Sequence, residues 1–247
     1  MSLVQVTKNA LNGKRLKPLS SYGFLQKVPV CEIVVGEFGG VAANYPIFFV
    51  DRDGSFVPIA LFALRSDENL YVEANGVWTG HYLPAALRRY PFTVGPGMVE
   101  GKEAAVLMVE EDMLSDTEGE PLFAAEEKDE PNSPVGRAIR LIAETDRQVA
   151  ATRTLVAEIA KAGLIEPAAM NVQQGVQQQT VGGLCSVNEK KLLDLPDNVF
   201  LELRRSGALN LIYMQLVSLG QIARLQFRDN LRRTARQQGE SGTFPLD

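Results

Sequence analysis

The chain has 247 residues, carries a formal net charge of −5, and is 45% hydrophobic and 22% charged. That balance is ordinary for a globular protein with enough core to fold without disulfides or metal. It holds one histidine and two cysteines, which excludes multi-histidine zinc sites, a two-histidine iron centre, an HExxH protease and any cysteine-rich metal cluster.

No metal and no cofactor is expected. The acidic balance argues against a dedicated nucleic-acid binder. No segment reaches the ~18 apolar residues of a membrane span. The N-terminus lacks the apolar run of a signal peptide, so the expected location is the cytoplasm, and a surface role would need non-classical export. Cys31 and Cys185 are expected to be buried, reduced thiols.

Residues 1–27 hold five Lys and Arg and read as a basic arm lying over the domain. From 30 to 95 the pattern is strand and turn. VCEIVV (30–35) is a β-branched run. The apolar runs 45–51 and 55–65 flank Asp53-Gly54, and 69–74 and 77–82 flank Asn75-Gly76. Both dipeptides tolerate the positive φ that a two-residue hairpin turn needs. An antiparallel meander follows. Pro84 and Pro91 bracket a short helix over 83–90. PFTVG (91–95) and EAAVLMVEE (103–111) return to strand, with Gly95-Pro96-Gly97 read as the turn.

Residues 110–130 carry ten acids and one base, and 112–133 reads as an acidic surface loop. Ser133-Pro134 has N-cap and first-turn chemistry and opens a long helix to about Ala162, with Gly163 as the stop. The stretch 170–187 reads as a strand or hairpin. Asn188 caps a short helix 189–194, and another spans 197–206 to Gly207. ALNLIYMQLV (208–217) is apolar and strand-length. Ser218 and Gln221 have capping-box spacing before a last helix over 219–237. Many strands, a long helix, strands and a final helix give an α+β class: one domain over 1–247, with an N-terminal antiparallel meander and the long and C-terminal helices packed on a sheet.

Catalytic motifs come close and fail. Gly95-Pro-Gly97 has two glycines of a dinucleotide fingerprint, but Glu100 stands where the third belongs. Gly101-Lys102 ends like a phosphate loop, but Glu103 replaces Ser or Thr. The carboxylates at 51, 53 and 110–112 lack EF-hand spacing. His81 could join a triad, but local hydrogen bonding at a strand end explains it better. In the last helix Arg224, Arg228, Arg232 and Arg236 recur every fourth residue and form one ridge, beside an Ala223, Phe227, Leu231 stripe expected to face the core. The ridge reads as a solvated face, as a match to the acidic segment, or as a docking surface for an anionic partner.

Asn44-Tyr-Pro-Ile-Phe-Phe-Val50, Pro58–Leu64 and Asn69–Phe92 resemble the bacterial SapC family. The likeness continues through Gly119–Phe123, Val181–Leu184 and Gly207–Tyr213, and covers nearly the whole chain. The resemblance implies a link to bacterial surface layers and brings no catalytic residues with it. The expected function is a non-catalytic binding or accessory protein of the surface layer or cell envelope. Its candidate ligand-binding residues are Trp78, His81, Tyr82, Arg88 and Arg89, and its candidate interaction surface is Arg224, Arg228, Arg232 and Arg236. The partner would be a protein or an anionic polymer, and a homodimer stays open. The alternative is an enzyme or accessory of a peptide- or glycan-modifying pathway, with a pocket near His81.

Overall fold

The structure, a computed structural model, describes residues 2–174 and 177–240. Along the chain the elements are β1 (Leu3–Gln5), β2 (Arg15–Leu16), β3 (Val30–Glu32), α1 (Phe38–Ala42), β4 (Ile47–Arg52), β5 (Ser55–Leu61), α2 (Ala85–Arg88), β6 (Phe92–Val99), β7 (Lys102–Glu110), β8 (Leu114–Ser115), β9 (Glu120–Pro121), α3 (Pro134–Lys161), β10 (Ile165–Gln174), β11 (Gln177–Val187), α4 (Glu189–Leu193), α5 (Asp197–Ser206), α6 (Ala208–Ser218) and α7 (Gln221–Glu240). The class is α+β and every described strand pairing is antiparallel. The chain divides into two compact units, one of residues 1–20 with 85–147, the other of 21–84 with 148–247.

In the first unit β6 and β7 form a hairpin that β1 extends, and β2 lies between β8 and β9. The basic arm and the acidic loop both differ from expectation. Leu11 from the arm and Leu122 from the loop pack with Phe92, Val109, Val135 and Ala138 in one buried cluster. Both segments are held there because each supplies an apolar side chain and short strands to the same core. Two of the loop's acids have counterions nearby: Lys14 meets Asp116 at 2.8 Å, and Arg137 forks onto Glu120 at 2.6 and 2.9 Å. The β6–β7 turn also moves. Glu100 and Gly101 take the positive φ, and Gly95-Pro96-Gly97 runs inside β6. As β6 is an edge strand, it accommodates a proline that has no N–H to donate.

In the second unit a five-stranded sheet runs β10-β11-β4-β5-β3. The expected Asp53-Gly54 turn forms, with both residues at positive φ. Asn188 caps α4 and Gly207 ends α5 at φ 91; in the first unit, where α3 begins, the Ser133 hydroxyl caps it by accepting from the Gly136 N–H at 3.0 Å.

Residues 208–217 form helix α6, not a strand. Their buried positions are Ala208, Leu211, Ile212, Gln215 and Ser218, a helical period hidden in the sequence because two of its inward positions are polar. The capping box at Ser218 does not form. Its hydroxyl accepts from the Ile47 N–H and donates to the Gln215 carbonyl, so Ser218 closes α6 instead of opening α7.

Candidate functional site

Of the residues singled out near the histidine, Trp78, His81 and Tyr82 lie on a loop, 69–82, that the sequence suggests is a hairpin. The Asn75-Gly76 turn forms: the Asn75 side chain accepts from the Val77 N–H at 3.1 Å, and Gly76 sits at φ 82. The flanking ladder is reduced to a single bridge between Val72 and Trp78. Four backbone carbonyls of the loop instead accept from side chains of α7. Arg228 donates to the Leu70 and Thr79 carbonyls and, at 2.9 Å, to the Thr79 hydroxyl. Arg232 donates to the Asn69 and Val72 carbonyls at 2.8 and 2.9 Å. A guanidinium presents several donors in a rigid fork, so each arginine bridges carbonyls that no strand satisfies. The Arg228 guanidinium also lies over the Tyr71 ring, 4.5 Å from its centroid, a cation–π contact partly withdrawn from water.

Beneath the loop is an aromatic cluster. Tyr45 and Tyr71 meet edge to face at 4.7 Å, Tyr45 and Phe62 at 5.0 Å, and Phe62 and Trp78 at 5.5 Å. Such pairs contribute about 0.5–1.5 kcal/mol each beyond area burial. The Tyr45 hydroxyl donates to the Tyr82 carbonyl. The Tyr82 hydroxyl donates to the buried Glu37 carboxylate at 2.9 Å, whose other oxygen accepts from the Val34 N–H. Gly80 has no room for a side chain: a Cβ there would stand 2.0 Å from the Tyr45 hydroxyl and 2.9 Å from the Trp78 indole nitrogen.

Further along α7 the bonding becomes ionic. Asp229, 1% exposed, pairs with Arg65 at 2.8 Å and Arg233 at 3.1 Å. Glu68, 6% exposed, pairs with Arg65 and Arg236, each at 3.2 Å. Buried carboxylates with two cationic partners are compensated, and losing one partner would leave a charge stranded.

The sequence-derived candidates are therefore distributed as follows. Trp78 is half-buried among the rings and Tyr82 half-buried against Glu37, whereas His81 is exposed. Arg88 and Arg89 are exposed and belong to the first unit. Of the ridge, Arg224 is exposed and Arg236 reaches Glu68 from an exposed position, while Arg228 and Arg232 turn inward. The Ala223, Phe227, Leu231 stripe does not face the core. Phe227 is 62% and Leu231 55% exposed. The inward face of α7 is Leu225 with Asp229, Arg228 and Arg232, because the loop beneath it offers carbonyls and carboxylates rather than apolar surface. The sequence reading misses Tyr45, Tyr71, Thr79, Glu68 and Asp229. Side chains that bond to backbone carbonyls far along the chain leave no spacing to read.

Burial raises the Tyr45 and Tyr71 phenols above the ordinary tyrosine range. The sign is clear. A phenol whose folded pKa is raised contributes stability below about pH 10, the unfolded value, and loses it as pH rises toward the folded value. Alkaline unfolding should steepen above about pH 10, by up to ~1.4 kcal/mol per pH unit for each phenol. Tyr45→Phe should remove its share of that slope. An unchanged slope in urea titrations at pH 9 to 11 would contradict the assignment.

Both cysteines are buried, and burial raises the Cys185 thiol, which works against nucleophilic use. Among the described residues no cluster of three or more His, Cys, Asp or Glu could hold a metal ion, and no helix is long and apolar enough to cross a membrane. A family model described as SapC matches residues 7–225. No curated protein and no solved structure matches the chain.

Proposed function

We propose that this chain, which belongs to the SapC family, is a non-catalytic binding or accessory protein whose partner is a protein or anionic polymer of the bacterial cell envelope or surface layer. It would be made in the cytoplasm and would reach a surface partner only by non-classical export, without nucleic acid as a ligand. The observation that supports this reading is the use of the polar groups around residues 69–82. Thr79, the Tyr45 and Tyr82 hydroxyls and the two inward arginines all bond to the chain's own carbonyls or carboxylates. The Tyr45, Phe62, Tyr71 and Trp78 rings fill the space between them. A catalytic site needs polar groups that converge on a reactant, and here they converge on backbone. The exposed side chains are what remains for recognition.

The test is fractionation of cells producing the full chain. The protein should sediment with the envelope fraction and be released by salt, and His81→Ala should leave that distribution unchanged. A peptide- or glycan-modifying activity that His81→Ala abolishes, with the fold intact, would overturn the proposal.

A further inference from the structure

Helix α7 has its polarity reversed. A helix on a globular protein normally turns its apolar stripe inward and its charges out. Here Arg228, Arg232 and Asp229 face in, and Phe227 and Leu231 stand 62% and 55% exposed, with Ala223 and Ala235 exposed one turn to either side. The four lie on a single every-fourth-residue row, small at the ends and large in the middle, about 18 Å long at 1.5 Å per residue. Rows of this kind are the ridges that helices interlock at about −50°, and one crossing helix would cover the two large side chains.

The charge around the ridge is one-sided. Arg224 and Arg236 are exposed beside it, and among the described side chains of α7 the one acid, Asp229, is buried between Arg65 and Arg233. A second copy of the same face would bring like charges together, which is unfavourable across an interface. An anionic bilayer is a poor match too. Two apolar side chains and two exposed arginines, one of them, Arg236, already paired with Glu68, fall short of the broad apolar face and clustered basic residues of interfacial helices. We infer that the Ala223–Phe227–Leu231–Ala235 ridge docks an acidic amphipathic helix of a partner protein, its apolar residues over Phe227 and Leu231 and its carboxylates beside Arg224. This rests on the binding-protein reading and names its surface and the chemistry of its partner.

The test uses the full chain and two fluorescent 20-residue helical peptides with leucine at every third or fourth position, one with glutamate and one with lysine elsewhere. The Leu/Glu peptide should bind at least about tenfold more tightly than the Leu/Lys peptide, and more weakly as salt rises. Phe227→Asp should reduce its binding by about tenfold or more, and Arg224→Glu should narrow the preference or reverse it. Both sites are exposed, and unchanged Trp78 emission checks the fold of each variant. Equal binding of the two peptides, no binding of either, or Phe227→Asp without effect overturns the inference. So does vesicle binding or self-association that Phe227→Asp abolishes, which would assign the face to a membrane or a second copy. Envelope association that survives Phe227→Asp would leave the binding-protein reading standing and reject this surface alone.

Discussion

Replacing Arg228 with alanine should destabilise the second unit by about 2–4 kcal/mol, on the scale of charged hydrogen bonds and a partly desolvated cation–π contact. The reason lies on the loop as much as on the arginine. Leu70 is 2% exposed, so its carbonyl has little access to water once the guanidinium is gone, and Thr79 loses the donor to its hydroxyl and its carbonyl, while its hydroxyl keeps its own bond to the Tyr71 carbonyl at 3.2 Å. Tyr71 loses the cation over its ring. Arg228→Lys separates these parts. A lysine keeps the charge but is a point donor without the fork, so it should recover only part of the loss. Trp78 is the chain's single tryptophan and packs in the cluster under this loop, so its emission should shift red in the alanine variant before global unfolding. Urea unfolding followed at that emission, with amide exchange over residues 69–79, measures both effects. A loss of less than about 0.5 kcal/mol, the scale of a neutral surface substitution, would show that the arginine does not hold the loop.

That result would also explain what the sequence conceals. Local chemistry was readable wherever one residue type answers one local need. Asp53-Gly54 forms its turn because both residues take positive φ, Ser133 caps α3 and Asn188 caps α4 through their own side chains, and Gly207 ends α5. Orientation was not readable on α7. Its apolar row and its arginine row both have helical spacing, so periodicity identifies the helix without saying which row faces in. The choice depends on what lies underneath. The loop at 69–79 offers carbonyls and the preceding residue, Glu68, a carboxylate, and these favour guanidinium groups over Phe227. The same limit applies to Asn75-Gly76. The turn is local and forms, but the ladder beyond it depends on backbone acceptors that Arg228 and Arg232 occupy from roughly 150 residues further along the chain.

Gln215→Leu should cost about 3 kcal/mol, from two backbone groups each losing its partner at about 1–3 kcal/mol apiece. Gln215 is fully buried. Its amide nitrogen donates to the Ile47 carbonyl and the Ser186 hydroxyl, each at 3.0 Å, and its oxygen accepts from the Val187 N–H at 3.2 Å. The side chain thus joins α6 to β4 and β11, which among the described residues share the Cys185–Phe49 pairing. Leucine matches the volume closely and adds apolar contact, so a purely hydrophobic account would predict little change or a gain. The hydrogen-bond account predicts loss, because Ile47 and Val187 remain buried without that partner. Gln215→Glu adds a pH test. A carboxyl in this buried site should have its folded pKa raised, so the variant should be most stable below about pH 4.3, the unfolded value, and lose stability as pH rises toward the folded value. Asn210→Leu, on the exposed side of the same helix, is the control, expected within about 0.5 kcal/mol of the parent. A Gln215→Leu protein as stable as the parent would mean that α6 is held by its apolar residues alone. Stability lost as expected would mean that a buried amide fixes how α6 sits on the sheet, and that this polar inward position is why 208–217 does not read as a helix.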